Sequence, residues 1–173
     1  IKHSGGLFLD MTIHDFDMAR FIVKKEVEEV YARGAALTDN KISEVGDIDI
    51  AVIILKYTDS TMAVIDNSRK ASYGYDQRLE VFGSKGMVQG NNSNQDNHTL
   101  YNEKGVESSL PMHFFLERYA DAYIVEIKNF ADSLINNKSI PVSGIDGLES
   151  LRIGLAAKKS FQENRPVKLN EIE

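Results

Sequence analysis

The sequence predicts an α+β fold, an open-faced and mostly antiparallel β-sheet with helices packed on one face. Three observations carry this. Stretches rich in β-branched residues cluster in the middle of the chain, helical periodicity occupies its two ends, and the strands are joined by short polar turns of hairpin length. The chain has 173 residues, 42% hydrophobic and 27% charged, which suffices for a buried core and fits one ordinary domain, so residues 1–173 are read as a single unit.

The first helix is expected from about Asp10 to Val23. Phe16, Met18, Ala19, Ile22 and Val23 give it apolar surface on more than one side, and Lys24-Lys25 ends it with the charge a helix C-terminus favours. Residues 27–33 read as a strand, and Leu37 to Gly46 as a polar, exposed loop. Asp49 to Tyr57 and Thr61 to Ser68 form a hairpin around Thr58-Asp59-Ser60. Arg78–Phe82 and Met87–Gly90 form a second, around Gly83-Ser84-Lys85-Gly86. Phe82 shares a face with charged residues there, as in a sheet whose outer face is semi-polar. After the asparagine-rich loop from Asn91 to His98, a short hairpin spans Thr99 to Leu110. Phe114 to Asn136 carries Phe115, Tyr119, Tyr123, Ile127, Phe130 and Leu134 at helical spacing, which are read as core. A last helix opens at Ile145 and runs to about Asn164, with Pro166 stopping it.

Composition excludes several classes of function. The formal net charge is −6 and no basic stripe exists, so no nucleic-acid partner is expected. There is no cysteine, hence no disulfide, thiolate metal site or cysteine nucleophile, which fits a reducing cytoplasm. No apolar run approaches the ~20 residues of a membrane span. The start, Ile1-Lys2-His3-Ser4, has the look of a segment cut from a longer polypeptide. Gly-x-Gly-x-x-Gly, Gly-x-x-x-x-Gly-Lys and the Gly-x-Ser-x-Gly elbow are all missing from the sequence. His3, His98 and His113 have no obvious partner in sequence.

The chemistry concentrates in residues 5–17. Asp10 precedes His14 by four residues, and on an unbroken helix Asp10, His14 and Asp17 fall on a stripe about 60° wide. Titratable groups in so apolar a segment are costly unless they pair or react, and a carboxylate that orients an imidazole is the minimal base for taking a proton from an alcohol. The residues alone also fit an acid at a helix start, a hydrogen-bonded core histidine and a wet helix face. A metal reading through Asp10, His14 and Asp17 has two ligands at workable spacing and no cysteine or second nearby histidine to complete it, so no metal is expected. A second polar cluster, residues 66–78, joins one strand to the next; its tyrosines, amide and cations suit either a solvated loop or hydrogen bonds to a polyol.

Residues 4–21 closely resemble the helix motif of bacterial inositol 2-dehydrogenases, within the glucose–fructose oxidoreductase / inositol dehydrogenase (Gfo/Idh/MocA) family. Asp66-Asn67-Ser68-Arg69, Tyr73-Gly74-Tyr75-Asp76-Gln77-Arg78, residues 80–88, residues 114–119 and Pro141-Val142-Ser143-Gly144 extend the likeness over nearly the whole chain. The resemblance implies the C-terminal lobe of a two-domain oxidoreductase, with NAD held mainly by an N-terminal Rossmann domain not in this chain. It implies oxidation of a cyclic polyol, myo-inositol at C2, with related sugars, scyllo-inositol and a non-catalytic oligomerisation or binding lobe as the alternatives. It makes His14 the general base, Asp10 its neighbour, and Tyr75 a substrate contact beside Asp10 and His14; Asn67, like Asp17 and Arg69, is added as a guess from its place. It also implies a homodimer or homotetramer through the open sheet face. The family's Glu-Lys-Pro lysine motif does not occur here, and the isolated chain is expected to be inactive.

Overall fold

The computed structural model describes residues 4–172; the expectation for His3 and the other residues of the N-terminal tripeptide lies outside them. In chain order the elements are α1 (Leu7–Asp10), α2 (Thr12–Val23), β1 (Val27–Ala35), α3 (Asn40–Glu44), β2 (Ile50–Tyr57), β3 (Met62–Ser68), β4 (Leu79–Gly83), β5 (Gly86–Gly90), β6 (Thr99–Asn102), β7 (Gly105–Ser108), α4 (Phe115–Arg118), α5 (Ala120–Ile135), α6 (Gly144–Glu163) and β8 (Val167–Lys168), followed by a 3-10 turn at Leu169–Glu171. They fall into two compact units, one built from residues up to Lys70 and from Val142 onward, the other from Ala71–Pro141.

The first unit is a four-stranded antiparallel sheet in the order β3-β2-β1-β8. Period-two alternation decides its faces. Val30 pairs with Leu55 and Ala32 with Ile53, so Val30, Ala32, Ile53 and Leu55 all point inward and are fully buried. On the opposite face Val52, Ile54, Met62 and Val64 are 47, 40, 70 and 68% exposed, which is the open face the sequence predicts. Helix α6 covers the inner face together with α1 and α2, and its buried Ser150, Gly154, Ala156, Ala157 and Ser160 are small enough to let the backbones approach. A Cβ on Gly154 would stand 2.6 Å from Leu9 Cδ2. β8 is only two residues long and pairs with Glu29 and Val30, leaving the Ala32 N–H beyond the ladder; Ser160 Oγ accepts it at 3.0 Å and donates to the Arg165 carbonyl at 2.6 Å.

Tyr57 lies at the end of β2, fully buried, and its hydroxyl has no hydrogen-bond partner among the described residues. Burial pushes the phenol up to about 12, against the opposing charge of Arg20. An orphaned buried hydroxyl carries a desolvation cost with no return, so Tyr57→Phe is expected to raise unfolding stability by about 1 kcal/mol, read from the urea midpoint at neutral pH; a loss instead would mean that the hydroxyl is paired.

The second unit holds two hairpins, β4–β5 and β6–β7, with α4 and α5. Asp76 is the hub of its polar centre. It accepts from Arg78 Nε (2.7 Å) and Nη2 (2.9 Å), from Asn92 Nδ2 (2.7 Å) and from the Tyr73 hydroxyl. The Arg78 bonds do most to lower this carboxyl to about 2, against burial and with help from Tyr73 and Asn92.

Several sequence expectations are corrected. The single helix from Asp10 is two pieces broken at Met11, and the helix over 114–136 is likewise broken, at Tyr119. Of the residues read as its core Tyr119 is half-buried and the others are exposed, among them Ile127 at 67% and Leu134 at 59%; helical spacing marks an amphipathic face without saying what covers it. The 37–46 loop contains α3, capped by Asp39, which accepts from Lys41 N–H at 2.9 Å, and anchored by buried Ile42. His98, unpartnered in the sequence reading, stands 3.2 Å from Asp96. The strand β8 was not expected at all.

Candidate active site

The site begins at Gly6. Its φ is +87°, a conformation glycine adopts without penalty, and a Cβ there would lie 2.8 Å from Asp47 Oδ1. That close approach lets Asp47 Oδ1 accept the Leu7 N–H at 3.1 Å and start α1. At Met11 the helix slips: the His14 N–H bonds the Met11 carbonyl at 3.2 Å, three residues back. Thr12, buried beneath the break, donates its hydroxyl to Asn67 Oδ1 of β3 at 2.6 Å.

The stripe of three titratable groups therefore does not form. Asp10 ends α1, exposed, with its Oδ2 3.0 Å from Arg69 Nη1. His14 stands in the first turn of α2, exposed, and its imidazole makes no hydrogen bond to any described residue. Asp17 turns to the packed side, 3.1 Å from Ser150 Oγ of α6. Among the described residues no three His, Cys, Asp or Glu side chains gather into a metal-binding set.

Asn67, expected as a substrate contact, has both ends of its amide engaged within the lobe. Its oxygen accepts from Thr12 and its Nδ2 donates to Asp15 Oδ2 at 3.0 Å, so the amide is a strut between β3 and α2. Arg69, just past β3, is fixed from three sides: its N–H donates to the Asp49 carbonyl (2.8 Å), Nη2 meets Asp47 Oδ2 (3.1 Å) and Nη1 meets Asp10.

Sequence reasoning missed Asp47, Asp49 and Thr12. The one signal was a pair of carboxylates at the mouth of an apolar strand, Asp47-Ile48-Asp49. Asp49 is fully buried and accepts from Leu37 N–H, Thr38 N–H and the Thr38 hydroxyl, each at 2.8 Å, and from Asp39 N–H at 3.0 Å. Burial alone would raise its carboxyl, and the four donors overcome this and bring it down to about 2. Because the unfolded chain takes up this proton near pH 3.8 and the folded one only near 2, stability is complete above about pH 4 and falls as pH drops from about 4 to 2. Asp49→Asn is expected to lower the thermal midpoint at neutral pH and to flatten that acid-side decline, leaving the share due to the other carboxyls that hydrogen bonds hold low, Asp59, Asp76, Asp146 and Glu171; an unchanged decline would remove Asp49 from it.

Tyr75 belongs to the second unit. Gly74 before it has φ +135°, and a Cβ there would stand 2.7 Å from the Pro111 carbonyl, so the turn is closed to other residues. The Tyr75 N–H bonds the Met112 carbonyl at 2.9 Å, and its ring meets Tyr119 edge-on, centroids 5.7 Å apart. An open hollow of about 460 Å³ in the same unit is lined by Tyr73, Asp76, Arg78, Asn92, Ser109 and Pro111 among others.

Comparison with known proteins bears on what these groups serve. The family described as an oxidoreductase family, C-terminal alpha/beta domain, matches residues 1–169. A myo-inositol 2-dehydrogenase of Thermotoga maritima is 51% identical over 172 residues, 99% of this chain and 52% of that protein. Among solved structures, a probable dehydrogenase from Thermotoga maritima superposes with a TM-score of 0.96 at 51% identity, over 99% of this chain and 52% of that one. A scyllo-inositol dehydrogenase from Lactobacillus casei, solved with bound cofactor NAD(H) and scyllo-inositol, does so with a TM-score of 0.90 at 32% identity, over 97% of this chain and 49% of that one. The chain thus spans about half the length of the relatives it matches. With the open antiparallel sheet and the Asp-x-x-x-His segment in place, the chain belongs to the C-terminal α/β domain family of the Gfo/Idh/MocA oxidoreductases.

Proposed function

We propose that this chain is the substrate-side lobe of a cytoplasmic, NAD-dependent oxidoreductase that converts one ring hydroxyl of a cyclic polyol, myo-inositol, to the ketone. The observation that carries the reading is His14: an exposed imidazole with no hydrogen bond to a described residue, four residues after a carboxylate that Arg69 holds in place. An imidazole left uncommitted at the surface is available to take the proton of an incoming hydroxyl at about 3 Å, and Asp10, one of whose oxygens is engaged by Arg69, supplies negative charge to the same short segment. Tyr75, on its rigid turn, is the proposed contact to the polyol ring.

The dinucleotide is assigned mainly to a further domain. All strand pairings among the described residues are antiparallel, and none belongs to a parallel strand–helix–strand unit with a glycine-rich turn. The acceptor therefore belongs to a further domain, the isolated chain should be inactive, and only the proton's path is assigned to residues here. The test joins this chain to its native dinucleotide-binding half and follows NADH absorbance with myo-inositol, scyllo-inositol and glucose. Inositol-dependent NADH supports the reading. The likeness to a structure that holds scyllo-inositol makes that isomer the second candidate, and a rate confined to it moves the substrate while keeping the chemistry. No turnover with any of the three, in a folded protein that binds NAD, leaves the lobe a binding or oligomerisation module.

We also assign the open sheet face to self-association. Val52, Ile54, Met62 and Val64 form a continuous apolar patch across β2 and β3, flanked by Lys56 and Asp66. Val64→Asp places a charge in its middle and is expected to shift the sedimentation profile from dimer or tetramer toward monomer; an unchanged profile would put the interface elsewhere.

A further inference from the structure

We infer that Arg69 is a positioning residue for the reaction: its guanidinium, fixed from the buried side, sets where the Asp10 carboxylate stands. The inference rests on the function proposed above for Asp10 and His14. Two chain segments far apart in sequence, around Asp10 and Asp47–Asp49, meet at this one residue. From the loop before β2, Asp47 Oδ2 takes Nη2 at 3.1 Å; from the end of α1, Asp10 Oδ2 takes Nη1 at 3.0 Å; and the Asp49 carbonyl takes the Arg69 N–H at 2.8 Å.

The two ends of this bridge are unequal. The side chains of Arg69 and Asp47 are each 14% exposed, whereas that of Asp10 is 40% exposed. Asp47 is itself pinned, because its other oxygen holds the Leu7 N–H and Gly6 admits it at a distance no other residue allows. The fixed end is therefore Asp47–Arg69, and the end whose position is being set is Asp10. Arg69 Nε is buried without a partner among the described residues, so the guanidinium is oriented by the two carboxylates and not by satisfaction of every donor. An exposed ion pair contributes little to stability, which makes the Arg69–Asp10 contact a poor device for holding the fold and a good one for holding a carboxylate. The planar fork also explains the residue type. One guanidinium reaches two carboxylates in a fixed geometry, whereas a lysine ammonium is a point charge on a flexible stem. Asp10 has no other hydrogen bond from a side chain of the described residues, and the helix break at Met11 takes away the regular backbone bond that would otherwise tie it to His14.

The test is a double-mutant cycle on the complete enzyme, this chain with its dinucleotide-binding half, read as kcat at saturating polyol. Arg69→Met is expected to lower kcat by about 10–100-fold, the scale of a misplaced group, with a smaller change in KM. In an Asp10→Asn background the same replacement is expected to cost less than ~3-fold, because the group it positions is already gone. Arg69→Lys should fall between wild type and Arg69→Met, and it serves in the cycle if Arg69→Met does not fold. Losses that multiply independently, or Arg69→Met at wild-type kcat, overturn the assignment of Arg69 while the reading of His14 stands. A wild-type enzyme that turns over no polyol overturns both.

Discussion

Replacing His14 with alanine in the complete enzyme lowers kcat for the polyol by about 10²–10⁴-fold, the usual contribution of a positioned general base. The size follows from what His14 does not do. It is exposed, it lies in the first turn of α2, and its ring makes no hydrogen bond to a described residue, so alanine removes neither packing nor a structural bond. Alanine is also the better helix former, and the thermal midpoint should stay within about 2 °C of wild type, as expected for a surface change worth under ~0.5 kcal/mol. A loss of turnover without loss of stability is the signature of a chemical role. The two measurements together separate that role from the packing role of Phe16, one turn-half further along the same helix. Wild-type turnover in His14→Ala would remove the base from this residue.

The fold was legible wherever a side-chain period could be counted. β2 and β3 alternate cleanly because one face of the sheet meets the helices and the other is open, β1 does so from Val30 to Arg33, past the register shift between Val27 and Glu29, and the strand boundaries expected from Val27, Asp49 and Thr61 fall within two residues of those observed. What the sequence concealed has one physical cause, the dependence of local geometry on distant partners. The break at Met11 has no proline or glycine to announce it; it is associated with Asp47 gripping Leu7 N–H and Asn67 gripping Thr12, residues 40 and 55 positions away. β8 has two residues, too few for any periodicity, and exists because Glu29 and Val30 offer it an edge. The aromatic spacing of α5 was real and its interpretation as core was not, since a period identifies a face and burial depends on what is laid against it.

The site divides along the same line. The Asp10–His14 spacing lies within one chain segment and was visible, as was the family likeness it belongs to. The division of labour among the carboxylates was not. On an unbroken helix Asp10, His14 and Asp17 would share a face, whereas the structure gives Asp10 to Arg69, Asp17 to the α6 side and Asp15 to Asn67. Arg69 and Asn67 stood out in sequence only as polar residues at a strand end, and their roles depend on β3 lying beside α2.

The largest loss of stability is expected at Phe16. Its ring is fully buried in the cluster formed by Leu7, Phe8, Val30, Ile53 and Ile153, and it lies under the helix whose opposite side presents His14. On the α6 side it faces Gly154, where even a Cβ would come within 3.7 Å of Phe16 Cε2. Neighbours of this kind cannot close the space left by a missing ring: Gly154 has no side chain to move inward, and the sheet residues are held by their ladder. Phe16→Ala should then cost about 3–5 kcal/mol, the range for an aromatic removed from a core that does not collapse. Against a total of roughly 5–15 kcal/mol for a typical domain, the urea midpoint falls steeply while the slope of the transition is kept. Phe16→Leu, which refills most of the volume, is expected to recover more than half of the loss. If Phe16→Ala proves nearly neutral, α2 is held by its polar struts to Asn67 and Ser150 and not by its buried face, and the account of how the fold presents His14 has to start from those hydrogen bonds instead.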